Sequence, residues 1–327
     1  MKRHNQILSV VLALQIVLLA AVFWPRSAAS GGEVRPLLGD LEAADVIALT
    51  IEDADGKRVK ISKQEGAWVL SDAGDFPCEE SKVTGLLDKL VAITADRLVT
   101  RTAASHARLQ VARDDFLRRI DVETADGQTI TLFLGSSPSY GATHIRLLEQ
   151  EETYLTDQLP TWEANTSANS WVNTSYVSVP LDDMTSITLR NANGEWTFEK
   201  DADGNWTLLG LDGDEELDTA AVDTIVNRVS SMSLLRPLGK EETPAYGLDE
   251  PQALVTLVAA DKTTTLQVGA KFLEDNSYVV KSSESPYYVR VSEYAVKDLV
   301  EKTRDGFIKP PPTPTPPVEG ESPAEEG

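Results

Sequence analysis

The chain carries one pattern twice, and that repeat restricts its possible folds more than any other feature, because each copy has to encode the same supersecondary unit. Leu49-Thr50-Ile51 with Gly56, Gly66 and Trp68 returns 138 residues later as Ile187-Thr188-Leu189 with Gly194, Gly204 and Trp206. At a spacing of 139, Val83, Leu86, Leu87, Leu90 and Ile93 are answered by Val222, Ile225, Val226, Val229 and Met232. At a spacing of 134, Leu134-Gly135 becomes Val268-Gly269, His144-Ile145 becomes Tyr278-Val279, and Tyr154-Leu155 becomes Tyr288-Val289. The changing offset implies small loop insertions. Inside the first hairpin Val59 and Ile61 match Trp196 and Phe198 only if the two turns differ by one residue.

The five apolar positions of the second match follow an i, i+3, i+4, i+7, i+10 pattern, which is one stripe of an amphipathic helix, and Asp218 is placed to cap its second copy. Alternating runs bounded by Asp-Gly, Asn-Gly or Gly-x-Trp read as β-hairpins, since those residues supply the positive φ that tight turns need. Ile47 to Glu52 with Arg58 to Lys63, and Leu254 to Ala259 with Thr264 to Val268, are examples. Each copy thus reads as a hairpin, a helix and three to five further strands.

The expected class is α+β: two tandem related modules, each a mainly antiparallel sheet with one or two packed helices, plus one N-terminal transmembrane helix. The expected boundaries are residues 1–24 for a cytoplasmic stub and anchor, 34–179 for the first module with its connector, 180–309 for the second, and 310–327 for a tail. The connector, Leu159 to Val179, is rich in Thr, Ser and Asn, yet Trp162, Trp171 and Tyr176 make it too aromatic for a free linker. The tail opens on a PPPTPTPP run and ends Glu-rich, a composition that cannot build a core and reads as extended and disordered.

Ile7 to Trp24 runs eighteen residues with only Ser9 and Gln15 polar. A helix of that length spans about 27 Å, close to the hydrocarbon thickness of a bilayer. Lys2 and Arg3 before it favour a cytoplasmic N-terminus, which puts the bulk of the chain on the far side of a bacterial cytoplasmic membrane. A cleaved signal peptide is the alternative, because Ser27-Ala28-Ala29-Ser30 offers small residues for cleavage.

With 30 Lys+Arg against 52 Asp+Glu, the net charge of −22 repels phosphate backbones and argues against a nucleic-acid partner. Cys78 is the single cysteine, so no intramolecular disulfide forms, and no flanking Cys or His marks it as reactive.

Motifs for chemistry are sparse. His106 and His144 sit in no metal spacing, and no Gly-x-Ser-x-Gly elbow exists. Asp201-Ala202-Asp203-Gly204-Asn205 starts like a calcium loop with Asp212 at its twelfth position, but Trp206 stands where the loop's sharp turn needs Gly. Lys63-Gln64-Glu65-Gly66-Ala67 keeps the turn in the other copy without the acids, so the hairpin is what recurs. Asp214, Glu215 and Glu216 read as solvated loop carboxylates rather than a glycosidase pair. Trp68 and Trp206, each two residues after a glycine, read as core anchors rather than sugar-stacking rings. No catalytic, cofactor-binding or metal residue is assigned, and no cofactor is expected.

The anchor, the Gly-x-Trp turns at Gly66-Ala67-Trp68 and Gly204-Asn205-Trp206, the helix, Tyr246-Gly247-Leu248-Asp249-Glu250-Pro251 and the strand ending Leu266-Gln267-Val268-Gly269 together resemble the domain of unknown function 4340 family over about residues 34 to 309. In the first copy Arg108-Leu109-Gln110-Val111 stands where the Tyr-Gly-Leu-Asp-x-Pro element is missing. The resemblance implies bacterial, membrane-associated proteins often encoded beside ABC transporters of the gliding-motility type, and it implies no activity. The expectation is a non-enzymatic, membrane-anchored extracytoplasmic binding or scaffolding protein, an accessory of an ABC-type transport or envelope system. An envelope hydrolase acting on cell-wall polymer is one alternative. A sensor or carbohydrate-binding module with a pocket lined by Tyr278, Tyr287 and Tyr288 is the other.

Overall fold

The computed structural model describes residue 15, residues 35–260 and residues 262–310. The expected anchor, Gln15 apart, and the tail from residue 311 lie outside the described residues. Among the described residues no helix is long and apolar enough to cross a membrane.

The first sheet comprises β1 (Val46–Asp53), β2 (Arg58–Gln64), β3 (Ala67–Leu70), β4 (Phe76–Pro77), β5 (Leu98–Thr100), β6 (Arg118–Thr124), β7 (Thr129–Leu134), β8 (Thr143–Leu147) and β9 (Thr153–Thr156), with helix α1 (Glu80–Ala92) between β4 and β5 in the chain. Its strand order is β4-β3-β2-β1-β6-β7-β8-β9-β5. β10 (Ser175–Ser178) then precedes β11 (Met184–Asn191), β12 (Gly194–Lys200), β13 (Trp206–Leu208), α2 (Thr219–Ser230) and β14 (Ser231–Ser233), which pairs back with β10. β15 (Arg236–Gly239), β16 (Ala253–Ala259), β17 (Lys262–Phe272), β18 (Ser277–Ser282), β19 (Tyr288–Ser292) and α3 (Glu293–Glu301) follow. The second sheet has the order β13-β12-β11-β16-β17-β18-β19-β15. Apart from the edge strand β4, both sheets run through one sequence of strands, with a strand that follows the helix in the chain, β5 or β15, at the far edge.

By compactness the described chain forms two units. The smaller takes residues 35–45, Leu86–Arg119 and Ile130–Ala164; the larger takes Val46–Gly85, Ile120–Thr129 and the residues from Asn165 on. The sequence boundary between residues 179 and 180 falls inside the larger unit.

In the larger unit, the hairpins explain why these residues form strands. Leu49 faces Ile61 and Ile51 faces Val59 across β1 and β2, while Ile187 faces Phe198 and Leu189 faces Trp196 across β11 and β12. All of these side chains except Trp196 and Val59 are wholly buried, and those two are nearly so. Alternation sends them to one face, and a slip of one residue would turn them all to solvent. The one-residue difference between the two turns is present in these registers. Each hairpin also extends into a three-stranded meander, because the strand carrying Trp68 or Trp206 pairs back as β3 or β13.

Helix α2 starts where its cap dictates: the Asp218 side chain accepts hydrogen bonds from the backbone N–H groups of Ala220 and Ala221. Val222, Ile225, Val226 and Val229 form its buried stripe, matched in α1 by Val83, Leu86, Leu87 and Leu90. Each such side chain contributes about 1.5–3 kcal/mol on leaving water, so the stripe and not helix propensity holds these helices in place.

In the smaller unit Leu109, Val111 and Phe133 form a core cluster with Phe116 and Leu148. In the larger unit Leu248, Val279 and Tyr288 do so with Leu238, Tyr246 and Phe272. The connector packs closely at Trp171 and Val172, and the Trp171 indole donates to the Asn165 carbonyl at 2.9 Å. Trp162, by contrast, is 51 % exposed.

One core expectation changes. Trp206 is only half-buried, with the Lys200 ammonium 5.4 Å from its ring centre. Trp196 on β12 is the buried indole, 5.4 Å from the Phe307 ring, and Phe307 also meets Phe198 edge-on at 4.9 Å. Trp206 lies on a three-residue strand at the edge of its sheet, paired on one side only, where less of the protein surrounds a side chain. Trp68 is buried as expected of an anchor.

Candidate functional site

A cleft of about 510 Å³ lies wholly in the larger unit, and Val59, Leu70, Ala73, Leu235 and Pro237 form its apolar lining. Its rim carries Lys57, Arg58, Lys60 and Arg236 against a single carboxylate, Asp72, with Thr166, Ser167 and Asn169 as neutral polar groups. The volume falls in the range of small-molecule sites.

Local structure places the cations. Arg58 and Lys60 are two residues apart on β2, so they share the face opposite the buried Val59 and Ile61. Lys57 closes the turn before them. There the Asp53 carboxylate accepts from the backbone N–H groups of Asp55 and Lys57, each at 3.0 Å, while its other oxygen accepts from the Thr166 hydroxyl at 2.9 Å. One carboxylate therefore shapes the turn and ties it to the 166–170 segment. Arg236 opens β15, whose far end meets the turn after Ala73 so closely that a Cβ on Gly74 would stand 2.8 Å from the Gly239 Cα. The Tyr287 hydroxyl, donating to the Asp75 carbonyl at 2.7 Å, and the Phe76–Tyr287 ring contact at 4.6 Å hold the same region.

The cleft's cations differ in their charge partners. Lys60 reaches Glu123 at 3.6 Å, with both side chains about 40 % exposed. Among the described residues Lys57, Arg58 and Arg236 make no ion pair. The buried Arg290 is instead held by Asp275 and by the Ser277 hydroxyl at 2.6 Å. The buried Arg146 donates to the carbonyls of Val111, Leu147, Leu148 and Gln150.

The residues singled out from the sequence go elsewhere. His106 donates from Nε2 to the Glu151 carbonyl at 2.8 Å, and His144 from Nδ1 to the Ser136 carbonyl at 2.7 Å; both rings are buried. The Asp201 carboxylate accepts from the N–H groups of Asp203 and Asn205 at 2.9 Å, and the latter bond is the main cause of its lowered pKa. Its Oδ1 is thus engaged by its own turn. Among the described residues no group of three or more His, Cys, Asp and Glu gathers as for a metal ion.

The acidic loop is more ordered than a solvated loop. Glu215 pairs bidentately with Arg304 at 2.5 and 2.6 Å, and Glu216 pairs with Lys309. Tyr278 and Tyr288 are buried and the Tyr288 hydroxyl donates to Glu242 at 2.9 Å, so their rings serve the core. Burial pushes the Cys78 thiol up to about 12.

Fold and cleft together define a mainly antiparallel α+β protein with a cation-rimmed surface cleft. The chain belongs to the family described as Domain of unknown function (DUF4340), which matches it over residues 68–251, more than half its length. That match starts at the Trp68 turn and ends at Pro251, inside the span of 34 to 309 read from motifs. No curated protein and no solved structure matches the chain.

Proposed function

We propose that this is a membrane-anchored extracytoplasmic binding or scaffolding protein, an accessory of an ABC-type transport or envelope system, that takes its ligand in the cleft of the larger unit. The observation that carries the reading is the cleft, where apolar residues meet a rim of polar groups and three cations, Lys57, Arg58 and Arg236, make no ion pair among the described residues. The apolar segment at residues 7–24 with its preceding Lys2 and Arg3 supports the anchor. Mild-detergent solubilisation and affinity purification of the native complex test the assignment. Co-elution of transporter subunits supports it; purification as a lone monomer removes the transport role.

The two sheets, in this reading, descend from one doubled fold. Shared strand order, the matched hairpin registers and the matched helix stripes support the duplication. Profiles built from each half of related chains should detect the other half, and mutual failure would remove the idea.

A carbohydrate-binding reading finds support at a different place from the strand tyrosines. In the smaller unit Tyr140, 97 % exposed, stacks on Trp162 at 5.5 Å with 29° between the rings. Exposed aromatic faces suit sugar rings as well as protein partners. Quenching of Trp162 fluorescence by soluble cell-wall saccharides, lost in Tyr140→Ala, would favour this reading; no quenching would discard it.

A further inference from the structure

We propose that the cleft's ligand is a small, soluble molecule bearing a phosphate or diphosphate group. This deepens the binding-protein reading above and rests on it.

The first observation is charge out of place. In a chain with 52 acidic and 30 basic residues, a cleft lined by cations with few acids runs against the overall charge. Lys57, Arg58 and Arg236 line one cleft and make no ion pair among the described residues, and Asp72 is the only acid on its rim. The ladder places Glu52 opposite Arg58, but the two side chains form no ion pair. Like charges held together without counter-charge raise the free energy of the empty cleft, and an anion relieves it.

The second observation is rigidity. The Asp53 turn, gripped by Thr166, fixes the backbone at Lys57 and Arg58, and the Gly74–Gly239 approach fixes the strand that carries Arg236. Guanidinium forks mounted in this way offer paired N–H groups to two oxygens of one anion. The Ser167 hydroxyl and Asn169 amide add neutral donors.

Charge density selects the anion. A phosphate monoester carries about −1.5 to −2 at neutral pH, which suits three cations without an ion pair facing one acid better than a single carboxylate does. Size selects a small ligand. At physiological ionic strength the field fades over about 8 Å, so a molecule contained in about 510 Å³ senses the cleft. A long polyanion, or an anionic bilayer, meets the rest of a surface whose net charge is −22.

Isothermal titration of the detergent-solubilised full chain with inorganic pyrophosphate tests the proposal, with glutarate and a long-chain polyphosphate as comparisons. Saturable pyrophosphate binding is expected, at least tenfold tighter than glutarate, weakening as salt rises, and reduced at least tenfold in Arg58→Gln/Arg236→Gln. Both arginines are exposed, so the variant should keep the parent's circular dichroism and melting point. Lys200→Gln, away from the cleft, should bind as the parent does. Absence of pyrophosphate binding, equal affinity for glutarate, tighter binding of the polymer per site, or unchanged affinity in the folded double variant would each overturn the proposal. Should pyrophosphate fail while transporter subunits still co-purify, the phosphate assignment falls and the binding-protein reading stands.

Discussion

Gly269 lies under Tyr246 so closely that a Cβ on it would stand 2.1 Å from the Tyr246 carbonyl oxygen. Gly135 holds the same relation to Leu109, also at 2.1 Å. In each case the carbonyl belongs to a short element that enters a left-handed residue next, Gly247 at φ +61° and Gln110 at φ +56°. The close approach at Gly135 is therefore made although no Tyr-Gly-Leu-Asp-x-Pro element stands before it.

Gly269→Ala and Gly135→Ala should each destabilise by about 3 kcal/mol or more, since the clash is with backbone that cannot swing aside. Gly85→Ala, in the middle of α1 with open space around the added methyl, should instead stabilise by about 0.5–1 kcal/mol. Gln110→Gly, which relieves a side chain held at positive φ, should gain about 0.5–1 kcal/mol net of the glycine's entropy. Urea denaturation of the four variants checks all of these signs.

Trp196→Ala should cost about 3–5 kcal/mol, because the indole is buried against Phe307 and truncation leaves a cavity. Trp206→Ala should cost under about 2 kcal/mol, because the side chain is only half-buried. Equal losses measured by the same denaturation assay would contradict the difference in packing.

Arg304 holds the Glu215 carboxyl down to about 2, with a further bond from the Asp212 N–H. A carboxyl depressed in the folded state, against about 4.3 when unfolded, contributes stability that is complete above the unfolded value and is lost as pH falls through the folded one. The parent should therefore lose more stability than Glu215→Gln between about pH 4.3 and 2. Parallel stability curves for the two across that window would mean that the pair contributes nothing.

Cys78 should resist alkylation. Burial pushes its pKa up to about 12, and the thiolate is the reactive form. Native protein at pH 8 should react with iodoacetamide at least tenfold more slowly than the same chain unfolded in guanidinium, as mass spectrometry would read directly.

Much of the fold is legible along the chain because its signals are local. Asp218 caps α2, the i, i+3, i+4, i+7 residues fill the helix stripe, and the one-residue difference between the β1–β2 and β11–β12 turns follows from apolar alternation alone. Each depends on residues within a few positions of one another, where spacing and turn chemistry decide the outcome.

Pairings across long separations were decided only by the tertiary structure. Glu215 meets Arg304 across 89 positions, and Arg236 joins Lys57 and Arg58 at one cleft from far along the chain. Which tryptophan is buried also depended on the number of strands flanking it, two for Trp196 and one for Trp206. Amino-acid order determined which segments become strands and helices and which face each buries. Convergence of charge at a cleft depends on how those segments are brought together, and no local spacing encodes it.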